Sequence, residues 1–189
     1  MNTPAHLILG AASLARAQKP GSLSAALTGA LAPDLSLYLL AGWHFAVLGT
    51  SAETVFGELY YSESWQSVFA IDNSVFVWGL ILAVGLIGRW SWLQVFGASA
   101  LLHLCLDFPL HAGDGRPHFW PFSDWVFDSP VSYWDVQHFG GFVGSVEIVL
   151  CAVLTLILFR RFRAPPLRAV FALLFAFEVA SSGIWMLVF

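Results

Sequence analysis

The residues best suited to chemistry crowd into one stretch, His103 to Asp135, reading HLCLDFPLHAGDGRPHFWPFSDWVFDSPVSYWD. Three of the six His (His103, His111, His118) and five of the twelve acids (Asp107, Asp114, Asp124, Asp128, Asp135) fall here. The stretch begins in an apolar helix, leaves it at Pro109 and becomes a polar, aromatic loop. His103 and Asp107 are spaced i, i+4, so they share one helical face and can grip an ion together or bond each other. Imidazole with carboxylate suits Zn²⁺, or Mn²⁺ and Fe²⁺ where carboxylates dominate. A divalent ion held this way supports ester or phosphoester hydrolysis. No GxSxG elbow and no Cys in a nucleophile setting is evident, so a Ser or Cys hydrolase has little support.

The elements that must position these residues are membrane helices. Of 189 residues, 58% are hydrophobic and only 11% charged, with a mean hydropathy of +0.75. A soluble domain carries about 25% charged residues, so this chain has under half the usual solvating charge. Long apolar runs without alternation read as an all-α polytopic bundle rather than a β-barrel. One integral membrane domain is expected over residues 1–189, with the site-bearing core in 3–139 and two additional helices in 140–189. A net charge of −4 argues against nucleic acid as a partner. Cys105 and Cys151 fall inside apolar segments and form no CxxC.

About six transmembrane helices are expected. Residues 3–17 read as a retained first helix, because no positive segment precedes them and His6 is out of place in a signal peptide. Gln18-Lys19-Pro20-Gly21 breaks it, and Ser22 or Ser24 offers a cap for the next span, 23–42. Pro33-Asp34 interrupts that span with a kink and a charge. Residues 43–73 read as an acidic, aromatic connector (Glu53, Glu58, Glu63, Asp72) suited to an interface. Spans 74–88 and 91–110 follow, then the polar outer loop 111–139, span 140–159, a basic turn at Arg160-Arg161-Phe162-Arg163, and span 167–189.

Charge then orients the bundle. Arg16, Lys19, Arg89, Arg160, Arg161, Arg163 and Arg168 fall on one side, leaving Arg116 as the exception. The basic side is cytoplasmic by the positive-inside rule, which places both termini outside. Every His then lies in the outer half, and His6, Asp34, Asp72, His103, Asp107 and the loop converge on one extracytoplasmic pocket. Arg116, the lone outer cation, suits an anionic head group or phosphate, or else a surface salt bridge. Glu147 and Glu178 sit inside the last two spans, as an ion path or as inter-helix hydrogen bonds. Phe119, Trp120, Phe122 and Trp125 suit an interfacial anchor.

In order along the chain, Thr3-Pro4-Ala5-His6 with Gly10, Gly29-Ala30-Leu31-Ala32-Pro33-Asp34, His103-x-x-x-Asp107, Gly113, and Phe119-Trp120-Pro121-Phe122-Ser123 resemble the YdjM-like family of bacterial inner-membrane, metal-dependent hydrolases. The likeness spans residues 3–128. It implies a metal site at His6, Asp34, His103 and Asp107. The chain departs from the family at Ala70-Ile71-Asp72-Asn73-Ser74, where relatives have a His-rich stretch ending in Thr-His-Ser, and at Leu35-Ser36, where they have a second Asp or a His. Asp72 is the oxygen ligand able to stand in for the missing imidazole.

The expected protein is therefore an inner-membrane hydrolase of a lipid-linked or membrane-proximal ester or phosphoester. Its metal would sit on His6, Asp34, His103 and Asp107, with His118 or His111 as general acid or base and Asp72 assisting. Two alternatives stand beside it. One is a transporter or channel component using Asp34, Glu147 and Glu178; the other is a membrane scaffold whose outer loop binds a partner protein.

Overall fold

The computed structural model describes the backbone of residues 1–188 and the side chains through Gly183. The described chain is all-helical, with no strand. Its elements are α1 (Thr3–Leu14), α2 (Ser22–Leu31), a 3₁₀ turn (Ala32–Asp34), α3 (Leu35–Ala46), α4 (Ala52–Thr54) continuing as a π turn (Val55–Leu59), α5 (Glu63–Asp72), α6 (Val75–Ile87), α7 (Ser91–Asp107), α8 (Gly140–Arg161) and α9 (Pro165–Val188). Phe189, the end of the expected last span, lies outside the described residues.

Against the about six spans expected, four helical segments among the described residues are long and apolar enough to cross a membrane: Ser22–Ala46, Glu63–Ile87, Gly140–Arg161 and Pro165–Gly183. The apolar α1 is shorter, and α7 has 17 residues. Leu39, Leu80, Ile87, Val149 and Leu156 are exposed on these helices, a surface made for hydrocarbon rather than water.

Two boundaries differ from the sequence expectation for local reasons. The segment expected as a connector is largely helical. Ser62 accepts a hydrogen bond from the Trp65 amide and starts α5, and Ser74 accepts from the Phe76 and Val77 amides and starts α6. The two run nearly end to end, so the short span expected at 74–88 lengthens to Glu63–Ile87. Neither Ser22 nor Ser24 caps α2. Gly21 occupies the cap position at φ 77°, and the Ser22 hydroxyl instead donates to the Arg16 and Lys19 carbonyls, closing the turn behind α1.

Helices α1, α2 and α7 pack closely because their facing residues are small. A Cβ on Gly29 would sit 2.2 Å from the Phe96 carbonyl oxygen, and one on Gly10 would sit 2.6 Å from Ser99 Oγ. Backbones that approach this far admit only glycine. The contact is then locked by polar bonds from α7 to α2, with Ser99 Oγ donating to the Ala26 carbonyl at 2.7 Å. At the far end of α1, Arg161 donates to the Ala12 and Ala15 carbonyls at 2.7 and 2.8 Å. These are the orphan acceptors of a helix C-terminus, and a cation there also complements the helix dipole. Helix α1 is thereby fixed at its C-terminal end and along its close contact at Gly10.

Candidate metal centre and its cavity

Three side chains from two helices meet behind Pro33. His6 on α1 and His103 on α7 stack nearly parallel, with ring centroids 3.6 Å apart and planes 13° apart. Both address Asp107: His6 Nε2 lies 2.8 Å from Oδ1 and His103 Nε2 lies 3.2 Å from Oδ2. His103 Nε2 is also 3.6 Å from Asp34 Oδ1. His6, His103 and Asp107 are buried and form a cluster that could hold a metal ion.

The local sequence explains the arrangement. Pro33 has no N–H, and the chain tightens into the 3₁₀ turn as α2 ends. In that last turn the Ala30 carbonyl accepts a hydrogen bond from His103 Nδ1 at 2.7 Å. A carbonyl only accepts, so Nδ1 carries a proton. In the neutral ring Nε2 then presents a lone pair, and it points at two carboxylates. Oxygen and nitrogen lone pairs that face one another in a buried place need a proton or a cation between them. His103 Nε2 and His6 Nδ1 are both buried without a hydrogen-bond partner. A ring anchored by one nitrogen to a backbone carbonyl, with the other left open, is how metal-ligating histidines are held. The donor set thus fits a divalent ion on chemical grounds.

Asp107 gathers further positive groups. The Met1 amino group contacts its Oδ1, and His111 Nε2 lies 3.4 Å from its Oδ2. Asp34 accepts a hydrogen bond from Thr3 Oγ1, which in turn accepts from the Tyr38 hydroxyl at 2.7 Å.

Asp34 and Asp107 also line a cavity of about 660 Å³, a volume in the range of small-molecule sites. The loop that roofs it is tied down at several points. The Val75 amide donates to the His118 carbonyl, Ser74 Oγ donates to the Trp120 carbonyl, and Gly113 donates to Asp128 Oδ1 at 3.0 Å. These bonds bring His111, Asp114, Arg116 and His118 into the cavity wall. Burial draws the His111 imidazole down, but the Asp107 and Asp114 carboxylates outweigh it and raise the ring to about 9, so it is protonated at neutral pH. His118 behaves oppositely: burial lowers it, and it stays neutral. Its Nδ1 donates to the Asn73 carbonyl at 2.9 Å, leaving the lone pair on Nε2.

Of the residues picked from sequence, the structure brings together His6, Asp34, His103, Asp107, His111 and His118. Asp72 is not brought in. It ends α5 with its carboxylate near Ser36, and it is not among the residues that line the cavity. By spacing, i+7 from Trp65 and i+3 from Phe69, Asp72 shares the buried face of α5, but it is the last residue of the helix and its carboxylate is taken up beside Ser36 rather than at the cavity. His44 bonds Thr50 and His138 bonds Asp135, both apart from the cluster. Glu147 and Glu178 meet at Asn2, whose amide N–H donates to Glu147 at 2.7 Å and whose side chain donates to Glu178 at 3.2 Å.

Sequence reasoning missed Thr3, Tyr38 and Tyr60. Thr3 lies at i−3 from His6, and Tyr38 at i+4 from Asp34. Either spacing flags a shared helical face with a residue already singled out. Tyr60 caps the C-terminal end of the π turn, for which no pattern was available. Comparison of the chain with protein-family models, curated proteins and solved structures gives no match.

Proposed function

We propose that this chain is a membrane-bound, metal-dependent hydrolase of the YdjM-like kind, acting on a lipid-linked or membrane-proximal ester or phosphoester. The observation that carries the reading is the open Nε2 of His103, fixed by the Ala30 carbonyl and facing the carboxylates of Asp34 and Asp107. His6, His103 and Asp107 would hold the ion with Asp34 beside them, a donor set suited to zinc, with manganese and iron(II) as the other ions it would accept. Such an ion supplies Lewis acidity, activating water and stabilising developing negative charge.

The chain's own residues supply the proton transfers. His118, neutral with its lone pair on Nε2, accepts a proton from the attacking water as general base. His111, held protonated by Asp107 and Asp114, gives one to the leaving group as general acid. Beside the cavity the Phe108 ring packs against His118, Trp125 and Phe127, which fixes the His118 ring in place. In the same reading the two shorter apolar helices join the four long ones to make six spans in the inner membrane of a bacterium, with the cavity and both termini on the outer face. The charge pattern along the sequence supports that orientation.

The test is hydrolysis of a fluorogenic lipid phosphoester by the chain reconstituted in liposomes. The reading predicts turnover that stops with a chelator, returns with zinc or manganese, and is lost in Asp107→Asn. Turnover unchanged by the chelator would overturn it. The transporter alternative rests on Asp34, Glu147 and Glu178, but the bonds of the two glutamates to Asn2, and the 2.9 Å bond from Ser182 to Glu178, favour a static tie between helices.

A further inference from the structure

Arg116 is 9% exposed and lines the cavity. Its guanidinium is charged at any physiological pH, yet among the described residues no carboxylate lies within ion-pair distance of it. Its partners are neutral: one terminal nitrogen donates to Gln66 Oε1 at 3.1 Å and the other to the Tyr60 hydroxyl. Two rings hold the plane in place, with the guanidinium carbon 4.7 Å from the centre of Tyr60 and 4.4 Å from that of Phe69. A buried cation with no counter-ion is costly unless an anion completes it. Only two of its five N–H bonds are used by these partners, so a fork of donors remains for a ligand.

The surroundings specify what kind of anion. Burial pushes the Tyr60 phenol up to about 12, so it keeps its proton; having accepted from Arg116, it is free to donate. A group with several oxygens suits a guanidinium and a hydroxyl side by side, as a tetrahedral phosphate does. The walls beyond are apolar, with Leu37, Phe56, Phe69 and Pro33. They match a hydrocarbon chain rather than a sugar or a peptide. The candidate metal cluster borders the same cavity through Asp34 and Asp107.

We propose that Arg116, with Tyr60, is the seat for the phosphate group of an amphiphilic substrate whose hydrocarbon lies against the apolar wall. The proposal rests on the hydrolase reading for the fate of the ligand but not for its binding. Phosphate could also arrive free, so the probes separate the two sources.

The experiment titrates the full chain in phosphatidylcholine nanodiscs with dodecyl phosphate, inorganic phosphate and dodecanol, following binding calorimetrically. Dodecyl phosphate is expected to bind at least tenfold more tightly than either of the others. Arg116→Gln is expected to weaken it by roughly tenfold or more, the loss of a charge-assisted pair. Arg116→Lys keeps the charge but not the fork or the ring stacking, and is expected to bind between wild type and Arg116→Gln, which separates loss of the cation from loss of the fold. The titrations are repeated in EDTA, so the dependence on Arg116 is read whether or not a metal contributes. Equal affinity in wild type and Arg116→Gln, or no binding of dodecyl phosphate to wild type, overturns the proposal. Inorganic phosphate binding as tightly as dodecyl phosphate overturns the amphiphile.

Discussion

His103 is the residue on which the chemistry turns, because its two nitrogens do different things: one is committed to the Ala30 carbonyl and the other is open toward two carboxylates. His118 repeats the device with the Asn73 carbonyl. If it is the general base, His118→Gln should lower the hydrolysis rate by about 10²–10⁴-fold, while metal content, read on the same preparation, stays at the wild-type level. The sign of its pH dependence follows from its lowered pKa. The ring stays unprotonated below the ordinary imidazole value near 6.5, so the acid limb of the rate profile should fall below that pH and vanish in the variant. An acid limb above pH 7 would contradict this assignment. His6, Asp34, His103 and Asp107 were legible because ionisable residues in apolar helices stand out. Tyr60 was not, since an aromatic in an aromatic-rich connector carries no distinguishing pattern. Asp72 shows the converse: a plausible ligand type at a plausible place, held beside Ser36 at the end of α5 and outside the cavity lining.

At the scale of elements, the site depends on α2 lying against α7 closely enough for a side chain on one to bond a carbonyl on the other. Gly29 sets that distance, and its neighbour is backbone, which has little room to yield. Gly29→Val should therefore cost about 1–3 kcal/mol by overpacking. It should also lower metal content, because His103 would lose the Ala30 carbonyl. Gly79→Ala on α6 is the control: its Cβ meets nothing within 4 Å, and alanine is the better helix former by up to about 1 kcal/mol. Thermal melting in detergent checks both, and a neutral Gly29→Val would remove the packing argument. The apolar runs made the helices readable, and Pro33 made the break readable. The extension of α6 back to Glu63 was hidden, because it depends on two serine caps placed end to end and not on hydropathy.

For the whole molecule, convergence of distant segments was readable from topology: alternating spans put His6, Asp34, His103 and the loop at one end, and the folded chain gathers them there. What topology does not give is which loop residues turn inward. That is decided by bonds such as Val75 to His118 and Gly113 to Asp128, made only when the loop is in place. The proposed orientation can be checked in spheroplasts with single cysteines in a background where Cys105 and Cys151 are replaced. Cysteine at Ser123 should react with a membrane-impermeant maleimide, and cysteine at Arg163 only after lysis. The reverse pattern would place the cavity in the cytoplasm.

The most direct test of the central claim, that His6, His103 and Asp107 with Asp34 beside them make a metal centre, is elemental analysis by mass spectrometry of the purified wild type beside His103→Ala and Asp34→Asn. The account predicts close to one divalent ion per chain in the wild type and loss of it in His103→Ala, with Asp34→Asn reduced. A folded wild type without metal, or metal retained unchanged in both variants, would contradict it.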